Sequence, residues 1–312
     1  MRRSAFLASF TALALTLAAC GSDSSSSASS TTASGSDSTS TADSTADSTA
    51  GTDTTVAVKS AFTKPTVKLP ATLPTKLEKT ELKAGSGQAA ATGDTVVVHY
   101  VGVLSKDGTE FDNSYDRAQS FPVAIGQGQV IKGWDEGLVG VQTGGQYQLD
   151  IPADLAYGDQ GSGDVIKGGD AITFVIDVLA VLTPGTAADE PKVTAPTSSG
   201  AKDVETEDLV DGTGKMAEAG DDVYVELVAY RGDSGEKIDS SWGNGGPAAL
   251  KLTSDGALPG LVTGIAGMKV GGRRQIIIPS AQAFGEAGNT DVSIPGNTDL
   301  VVIIDLIAAF KS

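Results

Sequence analysis

The chain has 312 residues, enough for about two domains that each bury an ordinary core, and its formal net charge is −17. So acidic a balance, with no basic cluster, excludes a phosphate-contacting nucleic-acid surface. A single cysteine, Cys20, and a single histidine, His99, exclude an internal disulfide, a Cys-x-x-Cys site and two-histidine metal centres. They leave one candidate base for a Ser-His-Asp triad, and no metal or cofactor is expected.

Residues 1–20 read as an export signal, with Arg2 and Arg3 followed by an apolar run from Ala5 to Leu17 too short to span a bilayer. Leu17-Ala18-Ala19-Cys20 resembles the lipobox of bacterial lipoproteins, in which the cysteine is lipidated and becomes the mature N-terminus. The alternatives are an ordinary secretory signal with an incidental cysteine, or an uncleaved anchor. Residues 21–60 form a Ser/Thr/Asp-rich stretch, and Gly21 to Thr55 contains no aromatic residue, so burial cannot offset its ordering entropy. That composition predicts a disordered tether extended by its aspartates.

An extended, proline-punctuated lead-in, Lys64 to Pro70, opens a first domain assigned to residues 61–183. Thr95 to Leu104 is β-branched with a period of two, which places Val96, Val98 and Tyr100 on one face and Val97, His99 and Val101 on the other. Val130 to Leu138 predicts a short helix, because Val130, Ile131, Trp134 and Leu138 share one face. Gly133 and Gly137 are poor helix formers, and their presence implies that a sheet packs close against that backbone. Gln146 to Ile151 and Ile172 to Leu182 predict further strands, giving the order of an antiparallel α+β domain.

An offset of 127 residues superposes the chain on itself: Gly93, Asp94, Gly108, Asp112, Gly133, Gly137, Gly144, Pro152 and Gly158 align with Gly220, Asp221, Gly235, Asp239, Gly260, Gly264, Gly271, Pro279 and Gly285. So long a period means tandem domains, with a linker over 184–200 and a second domain over 201–312. Shared glycines and prolines imply a shared fold. The large side chains differ: Tyr100, Phe111, Phe121, Trp134 and Tyr157 face Leu227, Ile238, Ala248, Leu261 and Phe284, and after one inserted residue Phe174 faces Val302. Core-filling aromatics would be exchanged at similar volume, so the pattern favours an aromatic pocket that only the first copy retains over a plain core role for Trp134.

Val98-His99-Tyr100-Val101-Gly102, Phe111-Asp112-Asn113-Ser114, Val130-Ile131-Lys132-Gly133-Trp134, Ala156-Tyr157-Gly158 and the strand bearing Phe174 resemble the FKBP-type peptidyl-prolyl isomerases over about residues 76–182. The resemblance implies two tandem FKBP-like domains, each a twisted antiparallel β-sheet wrapped around a short α-helix. It places Trp134 at the floor of a proline-binding pocket, with Tyr100, Phe111, Phe121 and Phe174 as walls and Val130, Ile131 and Tyr157 at the rim. The Ile131 amide and Tyr157 hydroxyl would donate to substrate carbonyls, and Asp112 would orient Tyr100 and pair with Arg117. Read locally, Asp112 is equally a turn-forming aspartate, and His99 reads as structural. Trp242 aligns with Tyr115 and reads as a loop or surface residue. Ser162 stands where many members carry histidine, which bears on sequence preference.

The implied function is prolyl cis-trans isomerisation by the first domain, in a protein lipid-anchored at the extracytoplasmic face of the cell membrane. Its partners would be proline-containing segments of exported proteins, with macrolides such as rapamycin as inhibitors. The alternatives are a non-catalytic chaperone or protein-binding module, and a structural surface protein that reuses the fold.

Overall fold

The computed structural model describes residues 63–193 and 197–311. Cys20, the signal and the tether lie outside the described residues. The first domain runs through β1 (Glu78–Lys83), β2 (Ser86–Ala89), β3 (Thr95–Leu104), β4 (Glu110–Asn113), β5 (Phe121–Ala124), α1 (Lys132–Gly137), β6 (Gln142–Thr143), β7 (Gln146–Ile151) and β8 (Ile172–Leu182). Its main sheet has the order β1-β7-β8-β3-β4, β5 also pairs with β3, and every pairing is antiparallel. β2 and β6 form a separate ribbon. The second domain repeats the plan with β9 (Glu205–Val210), β10 (Asp222–Arg231), β11 (Lys237–Ser240), β12 (Ala248–Lys251), α2 (Pro259–Ile265), β13 (Arg273–Ile278) and β14 (Leu300–Phe310). The order is β11-β10-β14-β13-β9, with β12 on β10.

The period-two pattern of β3 sorts its side chains as the sequence predicts. Val96, Val98 and Tyr100 enter the core with Leu138, Leu149, Ile151, Ile172 and Ile176, while Val97, His99 and Val101 lie on the outer face. There His99 Nδ1 lies 2.9 Å from Ser114 Oγ, which also accepts the Tyr100 amide. In the second copy Glu226 takes the place of His99, and the Ser241 hydroxyl donates to its carboxylate.

α1 is shorter than the periodicity implies, because Val130 and Ile131 stay outside it. Ile131 is extended at φ −58°, ψ 147°, and its carbonyl accepts the amides of Trp134 and Asp135. A helix of 6 residues containing two glycines has little intrinsic stability, so its contact with the sheet must hold it. That contact is the reason for the glycines. A Cβ on Gly133 would lie 2.4 Å from Ile151 Cγ2, and one on Gly137 would lie 2.7 Å from Leu149 Cδ1. Gly260 and Gly264 meet Ile278 and Ile276 in the same way at 2.1 and 2.5 Å.

The outer face of each sheet is covered by the segment that precedes it. Val67 and Leu69 pack on Val101, Val103 and Tyr115, and Lys64 bridges Glu110 and Asp116 at 2.8 and 3.0 Å. Residues 184–193, read from composition as linker, do the same for the second domain. The Gly185 amide donates to Glu226 Oε1 at 3.0 Å, Lys237 Nζ reaches Glu190 at 2.6 Å, and Val193 packs on Val228, Tyr230 and Trp242. Trp242 stands in the turn after β11, as the loop reading has it, but it is buried and not at the surface, because this segment lies over it at Gly185. Composition marked the segment as polar and proline-rich and gave no sign of the surface it covers.

The two domains meet through one apolar cluster, made by Val97, Leu179, Ala180 and Leu182 of the first and Tyr224, Ala308 and Phe310 of the second, with Ile307 beside them. Val97 and Tyr224 are equivalent positions in the repeat, and after the inserted residue so are Leu179 and Ile307, Ala180 and Ala308, and Leu182 and Phe310. The same patch of each copy thus faces the other, as in an isologous dimer interface. Leu182→Asp should separate the domains without unfolding either. In 15N relaxation the parent should show one rotational correlation time for both domains and the variant two shorter ones; unchanged relaxation would contradict this packing.

Candidate functional site

Where β3, β8 and α1 converge, the first domain opens a cleft of about 780 Å³. Tyr100, Phe111, Asp112, Phe121, Val130, Ile131, Trp134, Tyr157 and Phe174, the site residues read from the sequence, all line it. Trp134 is its hub and is buried at 4% exposure. Its ring stands edge-on to those of Tyr100, Phe174 and Phe121, with centroids 5.3, 5.1 and 6.2 Å away and interplanar angles of 87°, 81° and 73°. Phe111 completes the set against Phe174 at 5.6 Å and 88°. Such contacts contribute about 0.5–1.5 kcal/mol each beyond burial, so the cluster fixes its own shape. Phe121 is 40% exposed and forms the lip of the cleft more than a wall.

Beside the rings lies a charged triad. The Tyr100 hydroxyl donates to Asp112 Oδ2 at 2.5 Å, Arg117 Nη1 donates to Asp112 Oδ1 at 2.5 Å, and Arg117 Nη2 donates to the Tyr100 oxygen at 2.9 Å. Burial works against the Asp112 carboxylate, but the hydrogen bonds from Arg117 and Tyr100 outweigh it and hold its pKa below the ordinary value. Burial first, and the Asp112 carboxylate second, push the Tyr100 hydroxyl up to about 12. Asp112 thus orients Tyr100 as the resemblance implies, in addition to any turn-forming role.

Among the described residues, the Ile131 amide and the Tyr157 hydroxyl, both on residues that line the cleft, have no hydrogen-bond partner, and neither has the buried Nε1 of Trp134. Burial, and then the Asp112 charge, raise the Tyr157 pKa, so the hydroxyl keeps its proton at neutral pH.

Two contributors have no role legible in the sequence motifs themselves. Gly102 pairs with Phe174 across β3 and β8, and a Cβ there would lie 2.6 Å from Phe174 Cε1 and 2.7 Å from Phe111 Cζ. Its lack of a side chain lets both rings lie against the strand. Asp135, assigned only to the polar side of the helix, accepts the amides of Gly126 and Gly128 at 3.0 and 2.8 Å and so fastens the loop leading to Val130 and Ile131. The repeat carried both signals, since the equivalent residues in the second copy are Ala229 and Val262.

At the corresponding place the second domain buries aliphatic side chains. Leu227, Leu261 and Val302 are fully buried, and Leu258, the counterpart of half-buried Ile131, is 4% exposed. Asn244 stands in the position of Arg117 and donates to the Ser240 carbonyl, so the triad has no counterpart.

The fold and the cleft define a class of small antiparallel domains in which a short helix and an aromatic-lined cleft lie against the sheet. The family profile described as FKBP-type peptidyl-prolyl cis-trans isomerase matches residues 86–179 and again 214–307, so the chain belongs to this family and carries two tandem domains of it. The peptidyl-prolyl cis-trans isomerase FKBP10 of Bos taurus is 33% identical over 233 residues, covering 75% of this chain and 37% of that protein. Human FKBP9 is 35% identical over 216 residues, covering 69% of this chain and 35% of that protein. The chain therefore spans little more than a third of the length of these relatives. The FK506-binding protein of Streptomyces anulatus is 46% identical over 109 residues, covering 35% of this chain and 88% of that protein. Among solved structures, AtFKBP13 is 36% identical with a TM-score of 0.31, covering 33% of this chain and 91% of that one.

Asp112→Asn removes the carboxylate that raises the Tyr100 pKa and should bring its titration below the parent value of about 12, as followed by 13C NMR of labelled tyrosine. Because the Asp112 pKa is depressed on folding, the triad contributes stability above the unfolded carboxylate pKa of about 3.9 and loses it as pH falls through the folded value. With the Asp112 side chain 41% exposed, that contribution is small.

Proposed function

We propose that the first domain is a peptidyl-prolyl cis-trans isomerase and that the second is a folded but non-catalytic partner. The observation that carries this reading is the edge-to-face aromatic cleft, whose lining includes the Ile131 amide and the Tyr157 hydroxyl, both without a hydrogen-bond partner among the described residues. Isomerisation of an X-Pro bond must cross about 18–20 kcal/mol of amide resonance and needs no nucleophile or metal. The planar amide is more polar than its twisted transition state, so an apolar cleft penalises the ground state more. The proline ring enters over Trp134, while the Ile131 amide and Tyr157 hydroxyl hold flanking carbonyls. A ten-thousandfold acceleration requires about 5.5 kcal/mol, and one hydrogen bond supplies about 0.5–1.5, so desolvation and shape carry most of it.

The second domain lacks the cleft, the triad and the Tyr157 hydroxyl, where it has Phe284. This loss favours a scaffold or protein-binding role for that copy. For location, the Leu17-Ala18-Ala19-Cys20 pattern supports a lipid anchor on Cys20 at the extracytoplasmic face of the cell membrane, which would present the isomerase to exported proteins.

In the full chain, Trp134→Leu, the residue of the second copy, should lower kcat/KM roughly tenfold or more in a protease-free prolyl-peptide assay, since it removes the central ring. Tyr157→Phe should lower it about two- to tenfold. Parent-like turnover by folded Trp134→Leu would contradict the assignment of catalysis to this cleft.

Cys20→Ala should release the protein from the membrane fraction. Intact mass of membrane-extracted parent should show a diacylated N-terminal cysteine; an unmodified Cys20 would contradict the anchor.

A further inference from the structure

Besides its aromatic rings, the cleft is lined by two charged side chains, Asp112 and Asp164, and their surroundings differ. Asp112 is neutralised by Arg117 at 2.5 Å. The Asp164 carboxylate has no ion pair or hydrogen bond among the described residues, although Lys167 belongs to its loop and Lys106, in the turn after β3, reaches the end of that loop. Lys167 Nζ donates to the Asp164 backbone carbonyl at 2.6 Å, and Lys106 is held by Asp170 at 2.7 Å. The loop that carries Asp164 is itself fixed. Ser162 and Ile166 bridge it with hydrogen bonds of 2.8 and 3.3 Å, the Gly161 amide donates to the Tyr157 carbonyl, and the Gly169 amide donates to the Gly158 carbonyl. The carboxylate is thus presented at the mouth of the cleft from a short closed turn that also carries Val165 and Ile166.

We infer that Asp164 is a specificity-determining residue, which makes the site prefer prolines flanked by a lysine or arginine over those flanked by an acidic residue. The inference rests on the isomerase reading of the cleft. An aspartate at the rim leaves the proline ring and its desolvation to the aromatic floor and acts on the side chain beside it. Because Asp164 is exposed, the attraction is that of a surface ion pair, a preference of about two- to fivefold. The net charge of −17 draws every cationic peptide to the molecule, so the local effect must be separated from the general one.

The test is the protease-free isomerisation assay on the full chain, with tetrapeptides bearing Lys, Leu or Glu next to proline on either side. At about 20 mM salt the parent should favour Lys over Glu in at least one series, and about 0.5 M salt should largely erase the preference. Asp164→Asn should bring the Lys-to-Glu ratio of kcat/KM towards one, and Asp164→Lys should invert it, while Glu207→Gln, which removes the same charge from the second domain, should leave the ratio unchanged. Turnover with no charge preference in the parent, or a preference untouched in Asp164→Lys, would overturn this inference alone. Absence of turnover with every peptide would overturn the isomerase reading and this inference with it.

Discussion

Trp134 meets Tyr100, Phe174 and Phe121 edge to face because the helix that carries it lies with Gly133 and Gly137 directly against Ile151 and Leu149. Any larger residue at those positions would lift the helix off β7 and take the indole out of reach of the rings on β3 and β8. Much of the first domain serves this approach. Gly102 clears space for Phe111 and Phe174 on the strand side, Asp135 ties down the loop before the helix, and the Asp112 and Arg117 pair holds the Tyr100 hydroxyl. The result is a concave surface lined largely by aromatic rings, held in place by their packing.

The second domain shows what the same backbone does without those side chains. Its helix keeps the glycine contacts with Ile278 and Ile276, so the architecture persists. With Leu261 for Trp134, Ala229 for Gly102 and Leu258 drawn fully into the core, aliphatic side chains meet where the first domain leaves a cleft. Fold and site are therefore separable in this chain: glycines and prolines specify the first, and a handful of rings and one ion pair specify the second. On its outer face, Glu226 and Trp242 bind the segment after the first domain, as Val101, Val103 and Tyr115 bind the lead-in of the first.

The repeat made the fold legible, since the glycine and proline positions superpose without a gap over most of the domain. The aromatic members of the site were legible for the same reason, because their loss in the second copy separates them from residues common to both. Less could be read where function depends on absence or on distant packing. Gly102 acts by having no side chain, and Asp135 acts through backbone amides that no spacing rule reveals. The burial of Trp242 and the packing of residues 184–193 on the second sheet were not legible, because a polar segment that covers a surface leaves no periodic trace. Val130 and Ile131 fit the helical period, yet they sit in the chain before the helix, where both line the cleft.

An open aromatic cleft in the first copy alone gives the chain one macrolide site, and macrolide stoichiometry tests this most directly. Calorimetric titration of the full chain with rapamycin should give one molar equivalent bound, and Trp134→Leu should weaken that binding without exposing another site. Two equivalents of comparable affinity, or one that survives Trp134→Leu unchanged, would contradict the account.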